Sequence, residues 1–211
     1  HIFDILDPIM KKLNLNKVLE FGCAGGWKLL PFHESGYQTA GYDFSPSMVA
    51  LGREYGLDLN EGTTHDVKGG PYEVIILNHV AEHLTDFFNE MKNILDHLEE
   101  GGLIYVGVPD IVNFDKSQFQ NAHTLYFTPR TLKRYMRVLG YKTVDFGHIR
   151  ADSIYGVFTL DKNKNSQDSF DSDYPYMKKV IMKGKLTGLV RNFLLKIGLK
   201  EIVYNLIRRL R

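Results

Sequence analysis

The sequence predicts an α/β fold: a mainly parallel, doubly wound sheet of seven strands, the last antiparallel, with helices on both faces. Three observations lead there. Short apolar runs (KVLEF at 17–21, YEVIIL at 72–77, LIYVGV at 103–108) read as strands buried on both faces. Stretches of helical length alternate with them, and parallel strands require such crossovers. The last two strands are separated by only a few residues, so they are expected to be antiparallel neighbours.

The elements follow in order. Ile2, Ile5, Leu6, Ile9 and Leu13 recur on one face of a helix over 2–13, with Pro8 as an interruption. The strand 17–21 runs into the glycine-rich turn GCAGG, from which a helix is predicted to about His33. A strand over 37–42 precedes Ser45-Pro46, a cap residue followed by a first-turn proline, and that helix is expected to reach about Tyr55. A brief strand at 57–59 and a buried one at 72–77 follow. Thr85 is expected to cap a helix to about Leu98, stopped by Gly101 and Gly102 before the fifth strand at 103–108. After a long loop, Thr128-Pro129 starts a helix to about Leu139, and strands at 141–146 and 153–160 close the domain. Residues 161–174 are read as a polar linker and 175–211 as a basic amphipathic helical extension.

Length and composition set limits. With 211 residues, 44% hydrophobic and 24% charged, the chain has one ordinary core (1–160) and an appendage, and neither disorder nor collagen-like repetition fits. The longest aliphatic run, Val74 to Leu77, is far short of the ~20 residues that span a bilayer. A single cysteine, Cys23, makes no internal disulfide, which suits a reducing cytoplasm. The first residue is His1 rather than Met, which leaves room for a missing N-terminus. Net charge is +1, yet 175–211 alone carries ten basic residues against Glu201, a net of +9, so the rest carries about −8. Apolar residues at helical spacing in that tail (Leu186, Leu189, Val190, Phe193, Leu194, Ile197) leave a basic opposite face. Such a helix either meets an anionic membrane surface, here the inner face of the membrane, or packs on the acidic body or a second copy of the chain. Packing or a homodimer is preferred, and nucleic acid is set aside because the tail's aromatics are too sparse for base stacking.

Function in a doubly wound sheet is decided at the carboxyl ends of the strands. After the first strand comes Glu20-Phe21-Gly22-Cys23-Ala24-Gly25-Gly26, small residues that let a backbone turn sharply against a ligand. The dinucleotide pattern G-x-G-x-x-G fails, because Ala24 and Trp27 occupy its later glycine positions. Glu20 would repel a phosphate and attract an ammonium group. Taken alone, GCAGG is also compatible with a tight turn that holds nothing, and Asp43 with a cap on the helix that Ser45 starts.

VLEFGCAGG resembles the first motif of the class I S-adenosylmethionine-dependent methyltransferases, with Glu20, Gly22 and Gly26 matching and Ala24 in place of a common glycine. Further similarities are Asp43 in GYDFSPSMV, EGTTHD before the fourth strand, YEVIILNHVAEHL, and AHTLYFTPRTLKRYMRVLGY. The resemblance spans about 15–160 and implies a Rossmann-like sheet with S-adenosylmethionine as cofactor. It implies that Asp43 binds both ribose hydroxyls, Phe44 and Met48 flank adenine, and Thr63 or Thr64 sits at the adenine edge. Cys23 lies in the cofactor turn, read as a space-filler and not a nucleophile. Asn78 and His79 would lie beside the methionine portion, with Glu82 and His83 open towards the acceptor. The branch resembled, ubiquinone-pathway and sugar O-methyltransferases, implies a small-molecule or glycan hydroxyl as acceptor.

A hydroxyl is a poor nucleophile at neutral pH and profits from a base near that pH, which points to histidine. The candidates are His83, with Glu82 orienting it, or His123; each has a structural alternative as a capping or loop-packing residue. Trp27 is expected in the core, and no metal is expected. Two other classes remain open: a non-catalytic S-adenosylmethionine-binding module whose tail recruits a partner, and a zinc hydrolase using His79 and His83 of the H-x-x-E-H spacing.

Overall fold

The computed structural model describes residues 2–113, 121–150 and 152–162, together with 178, 179 and 182. The predicted tail elements at 175–211 and the linker therefore lie almost wholly outside the described residues. Seven strands form one sheet: β1 (Lys17–Phe21), β2 (Gln38–Asp43), β3 (Leu59–Glu61), β4 (Tyr72–Asn78), β5 (Leu98–Pro109), β6 (Tyr141–Arg150) and β7 (Ser153–Leu160), in the order β3-β2-β1-β4-β5-β7-β6. The first five are parallel, and β7 runs antiparallel to both β5 and β6. Only a tight connection joins β6 to β7, so the two must pair as a hairpin.

Alternation along the strands assigns each side chain to a face. Leu19, Ile75, Leu77, Ile104 and Val106 pack under α4 (Phe87–Leu95) and α5 (Pro129–Val138), meeting Met91, Ile94, Leu132 and Met136. Val18, Val74, Ile76, Leu103 and Tyr105 face α1 (Ile2–Leu13), α2 (Leu30–Glu34) and α3 (Pro46–Arg53), meeting Leu6, Met10, Phe32 and Val49. The helix predicted directly after GCAGG is mostly turn, and α2 has only five residues. Gly26 sits at φ +75°, outside helical space, and Pro31 supplies the first turn, so the helix cannot begin earlier.

Two other boundaries move for physical reasons. Asp86, not Thr85, caps α4: its carboxylate accepts from Asn89 N, while Thr85 Oγ1 donates to Glu90 Oε1 at 3.2 Å. The helix ends at Leu95, and β5 starts at Leu98, running through both glycines that were expected to be stops. A Cβ on Gly102 would lie 2.6 Å from Glu73 O, so glycine there admits the close approach of β5 to β4. Strand β6 extends past its predicted end at Phe146 to Arg150, and β3 starts at Leu59 rather than Leu57. Thr128 caps α5 as expected, in a reciprocal arrangement with Thr131.

Helix α3 presses on the first turn through Gly52. A Cβ there would stand 2.6 Å from the Gly25 carbonyl oxygen and collide with Leu59 Cδ1. Gly52→Ala is therefore expected to cost about 1–3 kcal/mol through overpacking, read as a lower urea midpoint. A midpoint equal to the parent chain's would mean that α3 and the turn are not in tight contact.

Candidate functional site

Parallel strands end together, and the chain reverses its order of travel between β1 and β4, which opens a crevice at their carboxyl ends. Gly22 (φ +64°) lies there, and a Cβ on it would stand 2.6 Å from Val80 Cγ2, so the loops after β1 and β4 touch. Among the described residues three non-glycines have positive φ: Asn14 at the end of α1, and Ala24 (+47°) and His79 (+57°) in these two loops. Backbone strain is thus concentrated at the crevice.

Asp43, at the end of β2, holds the first turn. Its Oδ2 accepts from Ala24 N and its Oδ1 from Ser45 N, both at 2.8 Å. The cap reading and the ligand reading of Asp43 are compatible, because each carboxylate oxygen keeps a second lone pair. Phe44, beside it, is 83% exposed, and Met48 is half-buried one turn into α3. Thr63 donates through N and Oγ1 to Asp66, and Gly62 N donates to Asp43 O. Asp66, missed in the sequence, is held below the usual carboxylate range by the Thr63 hydrogen bonds. Thr64 O sits 2.8 Å from His97 Nε2, so His97 braces this turn rather than lying free on the surface.

Glu20 is 2% exposed, and its Oε2 has no partner among the described residues. Burial drives its carboxyl well above the usual range, Lys28 opposes the rise, and Asp43 adds to it. Pairing of Glu20 with Ile76, and of Ile76 with Tyr105, puts Glu20 and Tyr105 on the same face of the sheet. The Tyr105 hydroxyl, also unpartnered, is pushed up by burial, by Tyr155 and by Glu20. An orphaned acid at a strand end beside a strained small-residue turn fits a ligand that brings a cationic amine and a ribose. Cys23 is buried against Gly41, and burial, with Glu20 and Asp43, pushes its thiol up to about 12, as befits a space-filler. Trp27 is not core: it is 44% exposed and meets Tyr55 edge-on at 5.2 Å. Its indole lies over Gly25, where a Cβ would come within 3.0 Å of the ring.

On the β4 side, half-buried Asn78 ends the strand and His79 N donates to Gly107 O at 2.9 Å. Ala81–His83 form a single 3-10 turn. Glu82 is 1% exposed; its Oε1 lies 3.1 Å from His79 Nδ1 and its Oε2 has no partner among the described residues. Glu82 therefore orients His79, not His83, correcting the expected pairing. His83 Nδ1 is instead 2.9 Å from Ala122 O. Because a carbonyl only accepts, Nδ1 carries the hydrogen of this bond and Nε2 is the ring nitrogen left outside it. Thr124 N and Leu125 N donate to Glu82 O, and this clamps the 121–125 loop so that His123 stands 4.9 Å from His83, ring to ring. Glu82, His83 and His123 each offer a ligand atom within 4.8 Å of the others. The zinc-peptidase arrangement of His79 and His83 is absent, because residue 79 lies in a left-handed turn before the 3-10 turn and not on a shared helix face.

The sequence also passed over Asp110, 1% exposed just beyond β5, with His148 Nε2 at 3.5 Å. Its position after a parallel strand was the available signal. An open groove bounded by Phe88, Leu95, Leu139 and Leu160 lies where β6 starts and β7 ends, at the opposite end of the sheet from the crevice.

Residues 2–145 match the family model described as methyltransferase domain. Among solved structures the chain is similar to an S-adenosylmethionine-dependent methyltransferase from Clostridium acetobutylicum (14% identity, TM-score 0.60, 75% of this chain and 90% of that one). It is similar to magnesium protoporphyrin IX methyltransferase from Synechocystis PCC 6803 with bound SAH (13% identity, TM-score 0.60, 74% and 80%). A third is 1,6-didemethyltoxoflavin-N1-methyltransferase from Burkholderia thailandensis, with 1,6-didemethyltoxoflavin and S-adenosylhomocysteine (16% identity, TM-score 0.59, 72% and 75%). No curated protein sequence matches the chain.

Folding disfavours ionised Glu20, so its contribution to stability is greatest below about 4.5 and is lost as pH rises towards the raised value. Glu20→Gln removes that charge. At pH 7 the ligand-free variant is expected to melt higher, by about 2–4 °C for each kcal/mol recovered, with the gap closing near pH 4. Identical melting curves at pH 7 would contradict the burial of an unpaired carboxylate.

Proposed function

The chain belongs to the methyltransferase domain family, and from that premise we propose that it methylates a hydroxyl oxygen of a small-molecule acceptor, foremost a sugar or glycan-linked hydroxyl, with S-adenosylmethionine as donor. The observation that carries the acceptor chemistry is the convergence of Glu82, His83 and His123 beside the β4 end of the crevice. When bound, the cofactor supplies a methyl group made electrophilic by its sulfonium.

The chain's own residues hold, orient and deprotonate. Asp43 takes the ribose hydroxyls on its free lone pairs while still pinning Ala24 and Ser45. Glu20 ionises against the ammonium, which relieves its unpartnered oxygen. Gly22, Cys23, Ala24 and Gly26 shape the turn that the amino-acid portion follows, with Asn78 and His79 on its other side. Phe44 and Met48 cover adenine, and Thr63 and Thr64 meet its edge. His83, its Nδ1 hydrogen fixed on Ala122 O, would present Nε2 to the acceptor hydroxyl and take its proton. Positioning supplies most of the remaining rate.

The tail belongs to the proposal on charge alone. A segment of +9 beside a body of about −8 favours packing on this body or on a second copy, with anionic membrane as the other outcome.

Calorimetry with S-adenosylmethionine and S-adenosylhomocysteine, followed alongside by the fluorescence of Trp27, tests the donor; binding with a spectral change is expected. His83→Ala and His123→Ala should keep donor affinity, and at least one should lower turnover by about 10²–10⁴-fold in an acceptor screen. Full turnover in both would remove the histidine base, and absence of donor binding would remove the whole reading.

A further inference from the structure

A base explains one imidazole. It leaves unexplained why Glu82, 1% exposed, keeps an oxygen without a partner among the described residues next to two histidine rings. A buried carboxylate oxygen is costly unless something positive meets it. Among the described residues no lysine or arginine pairs with Glu82, and His79 occupies only its Oε1.

We propose that Glu82, His83 and His123 form a site for a divalent cation of the zinc type, with a coordination position left open for the acceptor oxygen. Two imidazole nitrogens and one carboxylate oxygen are the donor set of catalytic zinc sites with three protein ligands. Magnesium and calcium prefer oxygen donors throughout. The surrounding bonds are those that ligating groups need. A zinc-bound histidine usually donates its other ring N–H to a backbone carbonyl or carboxylate, and His83 Nδ1 does this to Ala122 O at 2.9 Å. A ligating carboxylate is itself hydrogen-bonded, as Glu82 Oε1 is by His79. The loop that carries His123 is fastened to the same turn by Thr124 Oγ1, which donates to Leu84 O at 2.7 Å.

Distances agree with a site that closes on its ion. Tetrahedral zinc with bonds of roughly 2.0–2.2 Å holds its ligand atoms about 3.3–3.5 Å apart. The three groups lie within 4.8 Å of one another, so closure needs shifts of about 1 Å. Exposed His83 and half-buried His123 can make them by side-chain rotation. The proposal deepens the methyl-transfer reading and rests on it only for the role of the open position. There the cation would draw electron density from the acceptor oxygen, whose proton leaves to solvent, and the histidines would serve as ligands instead of bases.

The test uses the full chain, stripped of metal with a chelator and titrated with zinc against a chromophoric competitor. About one zinc per chain is expected, with affinity lowered more than about 100-fold in His123→Ala and in Glu82→Gln, and unchanged in His33→Ala, an exposed position on α2. Calorimetry with S-adenosylmethionine on each variant confirms a folded crevice; His123→Ala, a change in a surface loop, keeps the test open if Glu82→Gln does not fold. Equal zinc affinity in the parent chain and His123→Ala, or no tight zinc binding by the parent chain, overturns the site. Donor binding without zinc binding leaves methyl transfer standing and removes the cation. Zinc binding without donor binding supports the cation site and removes methyl transfer.

Discussion

One carboxylate ties the crevice together. Asp43 accepts Ala24 N and Ser45 N on its two oxygens, so the strained turn after β1 and the start of α3 share a single anchor at the end of β2. Without it, Ala24 would have little reason to remain at φ +47°. The fit of Gly52 against Gly25 O and of Gly22 against Val80 then transmits the shape of that turn to α3 on one side and to the β4 loop on the other. The crevice is rigid because three loops lean on one another and on one acid.

Around that frame the chain accepts local costs. The buried side-chain oxygens without a partner among the described residues are Glu20 Oε2, Glu82 Oε2 and Tyr105 OH. Two belong to acids in the segments that frame the crevice, and the third shares the Glu20 face of the sheet. In a protein whose net stability is only about 5–15 kcal/mol, such groups persist where their function needs them. Glu20 suits a ligand's cationic amine, and Glu82 lies in the turn after β4 beside His83 and His123.

Much of this was legible in the sequence, and the limits are physical. The strands and the antiparallel last pair followed from buried apolar runs and a short final connection, and the family followed from Glu20, Gly22, Gly26 and Asp43 at their strand ends. Chain-local signals misplaced α2, the α4 cap and the start of β5, because a left-handed Gly26, a Glu90–Thr85 hydrogen bond and the close approach of Gly102 to Glu73 are decided by tertiary contacts. The identity of the histidines was readable, but their partners were not: a spacing of three residues pairs Glu82 with His79, and only the folded loop brings Ala122 and His123 to His83. Trp27 looked like core by composition, yet its indole lies outside, over Gly25.

The antiparallel insertion of β7 between β5 and β6 has an effect on layout. Ser153 pairs with Pro109 near the crevice, and Leu160, seven residues on, lies roughly 23 Å away at the far rim of the sheet. The polypeptide thus departs from the floor of the domain while chemistry occupies its roof. The exit of the described chain and the mouth of the crevice are therefore assigned to opposite poles of the sheet, so whatever follows Leu160 starts out on the side away from the strand ends that frame the crevice.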